Sequence, residues 1–200
     1  MKQGSLDRVL AIAKKQKIVR PRDVEAIGIP REYLLRLMRQ GDVRRTGRGV
    51  YELTQSKPTE HHSLAVVAKE IPNGVFCLLS ALRFHELTTQ QPSAVWIGIH
   101  VRSRSPRCST TACRLVRYSG KTLTAGAEVH RLEGIPVRIF SVAKTVADCF
   151  KYRGKIGLDV AIEALKETLV RKKATVDEID RFSRICRVSR VMRPYLEALA

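Results

Sequence analysis

The sequence predicts an α+β protein built in two parts, and three observations predict it. The first 53 residues carry three short helical patterns, then two strand-like runs around a glycine pair. Residues 61–200 alternate helical stretches with four short strand-like runs, so that helices bracket a small sheet. Between the two parts, TQSKPTE at 54–60 is polar, holds Pro58 and lacks periodicity, which marks a linker. The expected organisation is a first domain at 1–53, a linker at 54–60 and a mixed α/β second domain at 61–200.

The elements of the first part follow in order. Leu6, Val9, Leu10 and Ala13 recur at helical spacing, with Ser5 as the expected N-cap. The pattern fades into KKQKIV. Pro21 suits the first turn of a second, short helix, where its missing N–H costs nothing, and Gly28 suits its end. A third helix is expected from Pro30 to Gln40, stopped by Gly41. Val43–Thr46 and Val50–Leu53 then flank Gly47-Arg48-Gly49, a β-hairpin. Three short helices followed by a hairpin is the order of a winged helix-turn-helix.

Helical geometry tests the third helix. At 100° per residue, Leu34, Leu37 and Met38 share one side, while Glu32, Arg36, Arg39 and Gln40 share the other. A helix in the major groove needs such a polar face, because Arg binds guanine bidentately and Gln binds adenine. Arg31 falls at the helix N-terminus, where a phosphate would pass. Arg44, Arg45 and Arg48 fall on the hairpin, placed for backbone or minor groove. The expected DNA-binding residues are therefore Arg31, Arg36, Arg39, Gln40, Arg44, Arg45 and Arg48, with Arg36 and Arg39 reading bases. The bland alternative is a solvated or protein-binding face. Against it, residues 31–48 hold six arginines and only Glu32 and Asp42 as acids.

In the second part, helices are expected at 61–71, 76–87, 142–151 and 158–172. Ser141 caps the third of these, and Thr175 with Glu178 forms a capping box for another from Val176. Pro194 is expected to break or kink the last helix. Strands are expected at 94–101, 114–118, 129–132 and 137–140. Chemistry-bearing patterns are sparse. His61, His62, His85, His100 and His130 show no ligand spacing, and Ser80 lacks a nucleophile-elbow context. His85 reads as a packed or capping residue. No catalytic residue, metal or cofactor is expected. A nuclease would need Asp148, Asp159 or Glu163 to converge on a divalent ion, and stands as a lesser alternative.

The charge is the compositional outlier. In 200 residues, 37 Lys and Arg face 19 Asp and Glu, giving +18, while the 44% hydrophobic content is ordinary for a folded chain. The excess is shared, +7 in residues 1–60 and +11 in 61–200. It points to a polyanionic partner, either nucleic acid or an anionic membrane surface. Arg102, Arg104 and Arg107, in an acid-free loop, form a possible secondary nucleic-acid contact. Arg181, Arg184, Arg187, Arg190 and Arg193 recur every third residue and would wrap around a single continuous helix. No apolar run reaches the roughly 20 residues that span a bilayer, and the polar start holding Asp7 is no secretory signal. No membrane role and a cytoplasmic location are expected. Five scattered cysteines argue against a disulfide framework. The Cys108/Cys113 pair lacks the further ligands of a zinc site.

The chain resembles the AbiEi antitoxins of bacterial abortive-infection (type IV toxin–antitoxin) systems. The resemblance is strongest over IVRPRDVEAIGIPREYLLRLMRQGDVRRTGRGVYEL, Ile18 to Leu53. It extends to LLSALRFHELT at 78–88, IPVRIFSVAKTVADCF at 135–150 and the helical tail. It implies an N-terminal domain that binds inverted repeats upstream of its operon, with two copies on DNA, and represses it. It implies a C-terminal antitoxin domain that counteracts a co-encoded nucleotidyltransferase toxin, with direct contact left open. The alternative is a plain winged-helix regulator whose second domain dimerises or senses a ligand.

Overall fold

Leu6, Val9, Leu10 and Ala13 do share the inner side of a helix, α1 (Lys2–Gln16). That helix already includes Lys2, so Ser5 lies within it and is not its N-cap. The computed structural model describes residues 2–199, and their side chains from residue 4. Lys17, at φ +54°, ends the helix and leads into β1 (Ile18–Val19), both residues buried. Next come α2 (Pro21–Glu25), with proline in the first turn as expected, and α3 (Glu32–Gln40). Gly41 stops α3 at φ +84°, a left-handed conformation that suits glycine, and its N–H bonds the carbonyls of Leu37 and Met38.

Strands β2 (Val43–Gly47) and β3 (Val50–Leu53) form the hairpin, and β1 adds to β3 to give an antiparallel sheet ordered β1-β3-β2. Gly49 turns the tip at φ +69°. The register slips between Arg45 and Gly47, so Thr46 is the extra residue of a bulge. Val9, Val24, Leu34, Leu37, Val43 and Tyr51 close the core of this module. The compact unit around it takes in Met1–Pro72 with residues 106–112 and 131–137. Helix α4 (His62–Glu70) belongs to it, with Leu64 to Lys69 buried.

The second unit comprises residues 73–105, 113–130 and 138–200. Its elements in order are β4 (Val75–Phe76), α5 (Leu78–Phe84), β5 (Val95–His100), β6 (Cys113–Tyr118) and α6 (Lys121–Thr124). Strands β7 (Ala127–Leu132) and β8 (Ile135–Phe140) follow in the chain, and residues 131–137 of this stretch are counted with the first unit. The chain closes with α7 (Val142–Lys151), α8 (Arg153–Ile156), α9 (Leu158–Val170), α10 (Val176–Cys186) and α11 (Ser189–Leu199). The sheet is mixed and ordered β6-β5-β4-β8-β7.

Residues 76–87 are not one helix. Val75 and Phe76 form a strand in the middle of the sheet, and the helix starts at Leu78. A short apolar run buried on every side has no period to distinguish strand from helix. Ser141 caps α7 by accepting from the Lys144 N–H, and Thr175 and Glu178 form the capping box of α10, both as expected. Pro194 does not break α11, which runs through it; Arg190 and Pro194 are both exposed, so water can satisfy the carbonyl that loses its bond. Cys108 and Cys113 are disulfide-bonded, contrary to expectation; a single local bridge between residues five apart needs no framework.

Candidate nucleic-acid interface

The outward side of α3 follows from what its inward side must bury. Leu34 and Leu37 are buried and Met38 is half-buried against the core, so Arg36, Arg39 and Gln40 are left exposed with Glu32. The Arg36 guanidinium lies over the Tyr33 ring, 4.8 Å from its centroid. That stacking limits its conformations without using its N–H donors. Arg31 is exposed at the N-cap of α3. The side chains of Arg31, Arg39 and Gln40 have no hydrogen-bond or ion-pair partner among the described residues.

The hairpin cations differ from one another. Arg48 is exposed at the tip, and its guanidinium has no partner among the described residues, while its backbone N–H donates to the Ser109 hydroxyl at 3.2 Å. Arg45 donates Nε–H to the Gly47 carbonyl at 3.2 Å, which folds it back along its own strand. Arg44 faces Glu52 at 3.4 Å. Glu52 itself is buried, so part of the Arg44 charge is neutralised before any phosphate arrives. The seven residues named from the sequence thus share one module, and five keep their charged or amide heads fully available.

Contacts invisible to sequence spacing hold this module in its unit. Lys69, buried at the end of α4, donates to Asp23 and Gln16, each at 2.7 Å. Arg20 and Arg22 donate to the Lys69 carbonyl at 2.6 and 2.8 Å, where α4 exposes unsatisfied carbonyls. Burial is the largest influence on Arg20 and lowers its pKa from the ordinary arginine value. Glu70 accepts from the Ser109 N–H at 3.1 Å, from the Ser109 hydroxyl and from the Thr110 hydroxyl at 3.2 Å. His62 sits between Glu52 and Glu133, and Glu133 also accepts from the Thr59 N–H and hydroxyl at 3.0 Å. These partners are 10 to 74 positions apart in the chain, so no local pattern could announce them.

In the second unit, Arg102 and Arg104 are exposed, with side chains unpartnered among the described residues; Arg107, in the first unit, is exposed likewise. Two neighbouring arginines serve the fold instead. Arg117 donates to the carbonyls of Val101 and Ser103 and to the Ser105 hydroxyl, each at 2.8 Å, and Arg114 lies over Trp96. The arginine series from 181 to 193 is split. Arg187 ends α10 in a left-handed conformation, leaving Arg181 and Arg184 on α10 and Arg190 and Arg193 on α11.

The acidic candidates do not converge. Asp148 is fully buried, 2.5 Å from Lys144 Nζ, with the Tyr118 hydroxyl donating at 3.0 Å and the Cys186 thiol at 3.3 Å. Burial raises the Asp148 carboxyl above the ordinary range against the pull of Lys144. Asp159 and Glu163 are exposed on α9. No group of three or more His, Cys, Asp and Glu among the described residues is placed to hold a metal ion. His85 closes α5, and its Nε2–H donates to the Phe140 carbonyl at 2.7 Å, so it is packed and bonded as expected. No helix among the described residues is long and apolar enough to cross a membrane.

Three helices, a three-stranded sheet and a cationic hairpin define a winged helix-turn-helix, the class of module that lays its third helix in the major groove of DNA. Residues 7–54 match the family model described as transcriptional regulator, AbiEi antitoxin. Over that stretch, about a quarter of the chain, the module is similar to the regulator domain of AbiEi antitoxins. No curated protein matches the chain.

Proposed function

We propose that the chain represses its own operon by binding inverted repeats, and that its second unit counteracts a co-encoded nucleotidyltransferase toxin. The observation that carries the DNA reading is the outward side of α3: Arg36, Arg39 and Gln40 face away from a core closed by Leu34 and Leu37. Arg31 and Arg48 add cations for phosphate on either side. One winged helix per chain means two copies on an inverted repeat, with half-sites about 10 base pairs or a multiple apart. Arg36 and Arg39 read bases, and Arg31, Arg44, Arg45 and Arg48 fix the register on the backbone.

The toxin reading is supported by the family match at residues 7–54 and by a second unit with a complete core of its own. Two experiments test the pair of roles. Footprinting on the upstream region must give a protected inverted repeat that Arg36→Ala with Arg39→Ala abolishes. Co-expression with the neighbouring gene must show growth arrest that the full chain relieves. If the double variant still relieves arrest, toxin neutralisation does not depend on DNA reading. A harmless neighbour leaves a plain transcriptional regulator as the better account.

A further inference from the structure

The turn after β6, the last turn of α7 and the C-terminus of α10 enclose a cavity of about 430 Å³. Lys121, Lys151 and Arg187 line it, with Ser119, Thr122 and Ile185, and no carboxylate does. The three cations come from three different elements of the second unit. None of them has an ion-pair partner among the described residues. Lys151 Nζ lies 5.9 Å from the centre of the Tyr152 ring.

This differs from the rest of the unit. On the same helical tail Arg184 pairs with Asp180 and Arg193 with Glu197, and on α9 Arg171 pairs with Glu167. The cavity between α10 and α11 mixes Asp177, Asp180 and Glu197 with its arginines. At the β6–α7–α10 cavity, by contrast, like charges converge on a concave surface whose lining holds no acid. Such convergence is repulsive, and a bound anion relieves it.

We infer that this cavity binds a condensed phosphate, either inorganic or the polyphosphate chain of a nucleotide. The size lies within the roughly 300–1,000 Å³ of small-molecule sites. Three cations drawn from three elements, with the Ser119 hydroxyl beside them, match an anion of several charges better than a singly charged one. Ile185 is the one apolar side chain in the lining, so the phosphate chain carries the recognition. The inference is independent of the DNA reading, because no residue of α3 or the hairpin takes part.

The test is calorimetric titration of the full chain with inorganic tripolyphosphate, and separately with ATP, at fixed ionic strength. One saturable site per chain is expected. Lys151→Gln and Arg187→Asn each weaken it by about tenfold or more, since each removes one charge-assisted contact. Asparagine tolerates the left-handed conformation at 187. Arg184→Gln, on a paired arginine outside the cavity, leaves the affinity unchanged. Thermal unfolding without ligand confirms that each variant is folded. Equal affinity for both probes assigns the site to the phosphate chain alone; tighter binding of ATP assigns it to a nucleotide. Titration without saturation, or cavity variants that bind as the parent does, overturns the inference. So does a fall in affinity for random duplex DNA that matches the fall for tripolyphosphate, because the cavity would then belong to a nucleic-acid surface.

Discussion

His62 Nδ1 lies 2.9 Å from a carboxylate oxygen of Glu133, and its Nε2 lies 3.1 Å from Glu52 of the wing strand. One ring therefore ties the base of the wing to the segment at 131–137 of the same unit. Both carboxylates are buried, with side-chain exposures of 1% and 4%. At such sites a lost partner leaves an expensive unpaired charge.

Glu133 sets a pH dependence. Burial pushes its carboxyl up, but the Thr59 N–H, His62 and the Thr59 hydroxyl together hold it below the ordinary glutamate range. A carboxyl lowered by folding contributes stability that is present above its unfolded pKa and is lost as pH falls through the folded value. The unit is expected to lose stability as pH drops below about 4.5. Glu133→Gln should lose about 1–3 kcal/mol at neutral pH and show a flatter acid limb. Urea unfolding of both proteins between pH 3 and 7 measures this; parallel curves would remove Glu133 from the account.

Arg36→Ala or Arg39→Ala should cost about 1–3 kcal/mol on the operator and relax sequence preference at one position. Binding to operator and to scrambled duplex separates the roles. Equal losses on both would make these arginines phosphate contacts, and base reading would have to move to other side chains.

Arg48→Ala should reduce the slope of log affinity against log salt by about one unit, because one phosphate contact is lost. Arg44→Ala should change the slope less, since Glu52 already faces that guanidinium. A slope unchanged by Arg48→Ala would take the wing tip off the DNA.

Lys144 and Asp148 form an ion pair with no exposed side-chain surface. Lys144→Met alone should cost about 3–5 kcal/mol, because a buried carboxylate then lacks its partner. Lys144→Met with Asp148→Leu should cost less than Lys144→Met alone, as the uncompensated charge is gone with it. Thermal unfolding of the singles and the double closes the cycle. A double variant no more stable than the lysine variant would show that Tyr118 and Cys186 need the carboxylate.

What was legible from sequence was local. The two sides of α3, Gly41 after it, the hairpin glycines, Ser141 and the Thr175–Glu178 box each depend on neighbours within about four positions. Strand β4 was hidden because Val75 and Phe76 run straight into the apolar residues of α5. The extent of α1 was hidden because Lys2, Gln3 and Gly4 carry none of the apolar spacing that begins at Leu6. Glu133, His62 and Glu52 gave no signal, since the fold alone brings them together. Asp148 did carry one: Lys144 stands one turn before it on a helix otherwise rich in buried apolar residues, the spacing of an internal ion pair and not of a metal ligand.

The contact between the hairpin tip and residues 109–110 has a thermodynamic consequence. Gly47 has no room for a Cβ beside the Thr110 hydroxyl, and the backbone of Arg48 is already hydrogen-bonded to Ser109. Glu70 in turn holds both Ser109 and Thr110. The tip is thereby held in one shape before any duplex approaches, so little ordering entropy remains to be lost on encounter. Calorimetry of operator binding should accordingly show the modest negative heat-capacity change of rigid docking, not the large one of a segment that folds as it binds.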